Sequence, residues 1–374
     1  MRAKKIVIKF VLIIFGVLVA LIFLEGALRI TNYNSGLKNY HQPDPILGHK
    51  GKPNLDTSFS IGWCLESRII TNSQGWRSLK NFSQNKPRNV IRIAVLGDSY
   101  VQGLQVDNNE IFTYLLEEKL NNNLGKNFEV YNFGISAYGT VREYLVLKEY
   151  VLDYKPDIVI LLFYIGNDIS DSGEEYEKYI MKINKKRILK SKLSILKTYQ
   201  FIANDVIPKH PKLAKFLYNL GIMDTKINDP KNLPQGYYIY LDDYTPEVAN
   251  NWKISLEYLS KMNSILDKNN ITFIVVFFDA QDIIYNELYT ELLEKYPNAK
   301  NSKFDKEKPS RILKIFLLEN NISYLYLTEK FVERINKTGE KTYFPCDLHW
   351  NEIGHKWAAE EIYNYLIESG FIDF

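Results

Sequence analysis

Apolar positions follow three patterns along this chain. The first is a single long run, IVIKFVLIIFGVLVALIFL at residues 6–24, broken only by Lys9 and preceded by the basic flank MRAKK. A helix needs about 20 such residues to cross the hydrocarbon core of a bilayer. Lys9 lies near the basic end, where its stem can snorkel toward the headgroups. Basic residues before the run and a long body after it predict a single-pass anchor over residues 1–28, with the N-terminus cytoplasmic and the body periplasmic or extracellular. A cleaved signal peptide would carry a shorter apolar region, about 7–15 residues, closed by small side chains. This run ends in Phe23-Leu24-Glu25, so an uncleaved anchor is expected.

The second pattern begins at residue 89. Short, nearly continuous apolar runs at 91–96, 128–133, 157–164, 271–278 and 322–327 alternate with stretches of helical spacing at 109–121, 140–153, 247–268, 308–319 and 352–368. Strands covered on both faces read as unbroken apolar runs, and their alternation with helices predicts an α/β domain with a parallel sheet over 89–374. In the last helix Ile353, Trp357, Ala358, Ile362 and Leu366 recur on one side, the spacing of a core-facing stripe.

The third pattern is the absence of either period. Residues 29–88 are rich in Asn, Gly, Pro and Ser and read as a stem, or as irregular β structure packed on the main domain. Residues 172–246 interrupt the alternation with a basic, helix-prone stretch followed by a loop rich in Pro, Asn and Tyr. This predicts an insertion that serves as a lid, a substrate-binding arm or a surface for a partner.

Composition changes this picture little. With 46% hydrophobic and 24% charged residues the chain can bury an ordinary core. A net charge of +3, with Lys and Arg interspersed among Asp and Glu, gives no footprint for nucleic acid. Two cysteines, Cys64 and Cys346, do not make a disulfide framework. Outside the cytoplasm they can pair, but sequence does not reveal whether they come within bonding range.

The chemistry gathers where strands end. The first strand of the α/β domain runs into Gly97-Asp98-Ser99-Tyr100. A Ser in a strand-to-helix turn sits at the carboxyl edge of the sheet, in the manner of a nucleophile elbow. The second strand ends in Asn132-Phe133-Gly134 and the third in Gly166-Asn167-Asp168. Open parallel sheets bind ligands outside the carboxyl ends of their strands, so these turns can converge. The Ser99 and Gly134 N–H groups and the Asn167 side chain are then candidate donors of an oxyanion hole, with Asp98 and Asp168 in support. Before the final helix stands Cys346-Asp347-Leu348-His349-Trp350. A serine hydroxyl needs a base. His349 can serve, with Asp347 holding the ring. His355 falls on the helix and reads as structural. A metal would need further ligands at matching spacing, and no His, Cys or carboxylate group supplies them.

These residues resemble the SGNH/GDSL hydrolases, whose four blocks carry Ser, Gly, Asn and His. Gly97-Asp98-Ser99, Gly134, Gly166-Asn167-Asp168 and Asp347-Leu348-His349 match in that order, and the resemblance spans about residues 68–374 apart from the insertion. Thr71-Asn72-Ser73-Gln74-Gly75-Trp76-Arg77 resembles a segment that precedes the Ser block in membrane-anchored members. Many members place the acid three residues before the His. Here the gap is two, as in D-x-H-W members associated with bacterial exopolysaccharide O-acylation. The resemblance implies a three-layer flavodoxin-like sandwich with a five-stranded parallel sheet. It also implies an ester hydrolase without metal or organic cofactor. Acylated carbohydrate, or another ester, is the expected substrate. An O-acyltransferase that works with a membrane-bound acyltransferase partner, and a glycan-binding scaffold without catalysis, are the competing readings.

Overall fold

The computed structural model describes residues 2–31, 40–62, 64–125, 127–173, 196–202, 206, 210, 235–296 and 303–372. The first apolar run forms α1 (Arg2–Ile30). Its most apolar stretch has a mean hydropathy of 3.1 and none of it is buried against the rest of the chain. A helix apolar on all sides and left uncovered is built for lipid or for a signal sequence rather than for a protein core.

The stem is more regular than its composition suggests. β1 (His41–Asp44) and β2 (Gly48–Gly51) form one antiparallel hairpin, and β3 (Asp56–Ile61) and β4 (Leu65–Ile70) a second. The first turn closes because Asp44 Oδ1 accepts the N–H groups of Ile46 and Leu47. In β4, Leu65, Ser67 and Ile69 point inward while Glu66 and Arg68 face out. Leu65 and Ile69 pack with Tyr40, Phe59 and Leu104 in a small core of their own. Strands of four to six residues with polar inward positions carry too weak a period to stand out in the sequence.

Five parallel strands follow: β5 (Val90–Gly97), β6 (Asn127–Asn132), β7 (Ile158–Tyr164), β8 (Thr272–Phe278) and β9 (Ser323–Tyr326). Their order across the sheet is β6-β5-β7-β8-β9. Alternate residues of β5 face opposite layers, Ala94 and Leu96 to one side and Ile93 and Val95 to the other. On the first side lie α4 (Thr140–Val146), α5 (Pro246–Lys268) and α6 (Lys308–Glu319), which bury Val146, Leu259, Met262, Leu266, Leu313 and Leu317. On the second lie α3 (Phe112–Leu124), α7 (Leu327–Thr338) and α8 (Glu352–Glu368), with Leu116, Leu120, Phe331, Trp357 and Ile362 buried. Each such side chain contributes about 1.5–3 kcal/mol by leaving water. The chain is thus a three-layer α/β sandwich with one five-stranded parallel sheet, as expected. Helix α7 lies outside the periodic stretches picked out in the sequence.

Because β6 and β7 flank β5 on opposite sides, the connections after β5 and β6 leave in opposite directions, and a crevice opens at the carboxyl end of β5. Most of the basic stretch in the 172–246 insertion lies outside the described residues. Two of its described parts are a short helix at Lys197–Phe201 and a short 3₁₀ helix at Gln235–Tyr240. Glu25 of α1 accepts hydrogen bonds from the Lys197 and Thr198 N–H groups, which ties the first of these to the apolar helix.

Candidate active site

Ser99 opens a four-residue helix, α2 (Ser99–Gln102), directly after β5. The turn is tight enough to require Gly97, which has φ 152; a Cβ there would lie 2.4 Å from Val101 and 2.9 Å from the Leu162 carbonyl oxygen. As the first residue of a helix, Ser99 has an N–H with no helical partner. Asp98, fully buried, organises the turn. Its Oδ1 accepts the Tyr100 N–H at 2.9 Å and its Oδ2 accepts Asn167 Nδ2 at 3.1 Å. Burial pushes the Asp98 carboxyl up, against the Tyr100 N–H, His349 and Asn167, which pull it down.

His349 comes from a loop whose ends are pinned by a bridge between Tyr343 and the buried Trp350. His349 Nε2 lies 2.7 Å from Ser99 Oγ, and Nδ1 lies 2.9 Å from Asp347 Oδ1. The two-residue spacing works because the chain curls at Leu348, whose N–H donates to Asp347 Oδ1 at 2.7 Å while its side chain is exposed. Asp347 Oδ2 accepts Gln105 Nε2 at 2.8 Å. Burial pushes the Asp347 carboxyl up, but His349, Gln105 and the Leu348 N–H outweigh it and hold the group below the usual range. The Tyr100 hydroxyl donates to the Leu348 carbonyl, and its ring lies 4.9 Å from the imidazole. Residues 250 apart in sequence therefore meet at one rim of the sheet.

Asn167 sits in the turn after β7. Since Asp98 Oδ2 accepts only, the amide nitrogen must face it, and one Nδ2 hydrogen remains for another acceptor. Asp168 lies behind, fully buried, with Oδ2 accepting the Tyr164 N–H at 2.8 Å. Burial, with the Glu143 and Asp98 charges, pushes its carboxyl well up. Glu143, buried on α4, is pushed well up by burial and by Asp98 and Asp171, and neither of its side-chain oxygens has a hydrogen-bond partner among the described residues.

Gly134, the other expected oxyanion donor, lies where β6 leaves the sheet. Its N–H donates to Asn132 Oδ1 at 3.0 Å. A Cβ on it would come within 2.5 Å of the Gln102 nitrogen and of Val101 Cβ. Its glycine identity follows from close packing of the β6 exit against α2, and its hydrogen is already used. Asn132 completes that seam by donating to the Val101 carbonyl at 2.6 Å. Beyond it Ala137 is held at φ 64, a left-handed conformation costly for a residue with a Cβ, and such strain concentrates at functional sites.

Sequence reading missed two supports and left a third open. Gln105 carries no motif. Arg77 is 2% exposed and donates to the carbonyls of Gln102, Gly103, Val106 and Arg68, strapping the far end of α2 to the second hairpin. Burial pushes its guanidinium down to about 10. Its place in Thr71–Arg77 was the available signal. The third is a disulfide between Cys64 and Cys346, with Cα atoms 6.3 Å apart, which answers the question the sequence left open. His355 is structural, as expected. It is buried, its Nδ1 accepts the Phe112 N–H at 3.4 Å, and burial with the Arg77 and His349 charges pushes it down to about 3.

No family model and no curated protein matches this chain. Among solved structures it is similar to an acetyl xylan esterase, with 16% identity, 74% of this chain and 100% of that one covered, and a TM-score of 0.41. It is similar also to a lipase/acylhydrolase from Enterococcus faecalis, with 12% identity over 74% of this chain and 95% of that one, at 0.39. A variant of an acetyl-xylooligosaccharide esterase from Geobacillus is 12% identical over 75% of this chain and 95% of that one, at 0.40. Likeness at this level carries no weight for the chemistry, which rests on the side-chain geometry.

Proposed function

We propose that the chain is a serine-dependent ester hydrolase working outside the cytoplasm on O-acylated glycan. The observation that carries this reading is the unbroken series Asp347–His349–Ser99, with contacts of 2.9 and 2.7 Å. His349 Nε2 takes the Ser99 proton as Oγ attacks the ester carbonyl, and Asp347 stabilises the imidazolium. The developing oxyanion accepts from the Ser99 N–H and Asn167 Nδ2. One such donor is typically worth about 2.7–4 kcal/mol in the transition state. His349 returns its proton to the leaving alkoxide. It then activates water, which attacks the acyl-enzyme and regenerates Ser99. The exposed apolar helix α1 supports attachment to a membrane with the catalytic body outside, where cell-surface or exported glycan is the ester within reach.

The two-residue spacing of Asp347 and His349 favours a second reading. In it a sugar hydroxyl replaces water in the last step, and the chain is an O-acyltransferase fed by a membrane-bound acyltransferase partner.

The test is turnover of p-nitrophenyl acetate by wild type, Ser99→Ala and His349→Ala, with and without oligosaccharide acceptors. Either variant should lose at least about 10³-fold in kcat, as serine triads generally do. Equal turnover by all three would sink both readings. Acetylated acceptor formed in place of free acetate would select the second.

A further inference from the structure

Cys64 lies in the turn between β3 and β4, and Cys346 is the residue immediately before Asp347. Their bond joins positions 282 residues apart. The two ends of this link differ in stiffness. The β3–β4 hairpin is fixed to the body by the packing of Leu65 and Ile69 on Leu104 and by the Ile70 N–H donating to Asn108 Oδ1 at 3.0 Å. Arg77 reinforces it through the Arg68 carbonyl. The loop that bears Asp347 and His349 is anchored at its base by the Tyr343–Trp350 bridge. Its tip carries few backbone bonds of its own. Pro345, Cys346 and Leu348 are exposed, the Asp347 N–H reaches the Phe344 carbonyl only at 3.4 Å, and beyond the Phe344 N–H on the His349 carbonyl at 3.2 Å the tip is held by two side chains, the Tyr100 hydroxyl on the Leu348 carbonyl and Gln105 on Asp347. An exposed tip with few backbone bonds samples many conformations unless tied.

We propose that the Cys64–Cys346 disulfide is a positioning device for the triad acid: it borrows the rigidity of the hairpin to keep Asp347 in register with His349. The inference rests on the serine-hydrolase reading above. It goes beyond that reading in assigning the β3–β4 hairpin a part in positioning the site. Without the tie the tip relaxes, the 2.9 Å contact between Asp347 and His349 is broken for part of the time, and the imidazole loses its orientation while Ser99 and the oxyanion donors stay in place.

The test is a double-mutant cycle in the full chain, purified in detergent. Wild type, Cys64→Ser with Cys346→Ser, Asp347→Asn, and the triple variant are compared, with Ser99→Ala as control. The readouts are the rate of Ser99 labelling by a fluorophosphonate and kcat and KM for p-nitrophenyl acetate. All are measured at a temperature where circular dichroism shows each chain folded. Loss of the cysteine pair should lower labelling and kcat about 10- to 100-fold, with KM changed less than about twofold. In the Asp347→Asn background it should lower them no further, because both changes act through one contact. Reduction of wild type by a phosphine, below its unfolding temperature, should reproduce the loss, and reoxidation should restore it. Folded cysteine-free protein with wild-type kcat, or losses that multiply in the triple variant, would overturn the inference. Labelling of Ser99→Ala at the wild-type rate would instead defeat the hydrolase reading beneath it.

Discussion

The Ser99 turn and the Asp347–His349 loop approach the same point from opposite kinds of structure. The turn at 97–103 is continuous with β5, closed by Gly97, and backed by the buried carboxylate of Asp98 and the buried guanidinium of Arg77. The loop at 344–349 is half exposed and hangs between a bridge at its base and a disulfide near its tip. The contrast is one of division of labour. In the proposed mechanism, the groups that must not move while charge develops, the Ser99 N–H and Asn167, are set in the sheet rim. The groups that would transfer a proton are set on an arm held from outside the sheet.

This comparison predicts where damage is felt as lost activity and where as lost stability. On the arm, Asp347→Asn should lower kcat by about 10²–10⁴-fold, since the ring loses its orienting acceptor. Its urea midpoint should stay near wild type, because Asn fills the same volume and keeps an acceptor oxygen for the Leu348 N–H. A variant that unfolds early while keeping kcat would reverse the assignment.

On the turn, Arg77→Ala should act mainly through stability. It strips donors from the carbonyls of Gln102, Gly103 and Val106, and each buried group left unpaired costs about 1–3 kcal/mol. A loss of about 2–4 kcal/mol in denaturant unfolding is expected. Folded Arg77→Ala with wild-type stability would show that the hairpin does not brace the nucleophile.

A further effect lies beneath the turn and depends on pH. Burial and the Asp98 and Asp171 charges raise the Glu143 carboxyl well above its usual 4.5 in the folded chain. In the unfolded chain it titrates near the ordinary value. Between the two, the folded chain keeps a proton that the unfolded chain releases, so stability falls as pH rises, by at most about 1.4 kcal/mol per pH unit. Glu143→Gln has no proton to lose. Its stability relative to wild type should therefore improve from pH 5 to pH 8, as read by urea unfolding at each. A constant difference across that range would mean that Glu143 is ionised at no cost.

The candidate site was legible where a residue's type and its place after a strand carried the message. Ser99, Asn167, Asp347 and His349 belong to that class, and all four meet at the rim. Gly134 shows the limit of such reading. A glycine after a strand fits a donor turn and a close-packed seam equally well, and only the neighbouring Asn132 and Val101 distinguish them. The stem illustrates the same limit for folds, since its hairpins are held by a core shared with Leu104 and not by a strong period of their own.

By itself the sequence determined the apolar helix, the five strands, most of the helices between them, and the residue types that do chemistry. Periodicity and strand-end position are local properties, readable within a dozen residues. Tertiary structure alone decided that Cys64 reaches Cys346, that Gln105 holds Asp347, that Arg77 braces α2 and that the Gly134 N–H is already engaged. Each of these depends on atoms brought together across the fold or on how a hydrogen is shared within a turn, and a linear pattern specifies neither.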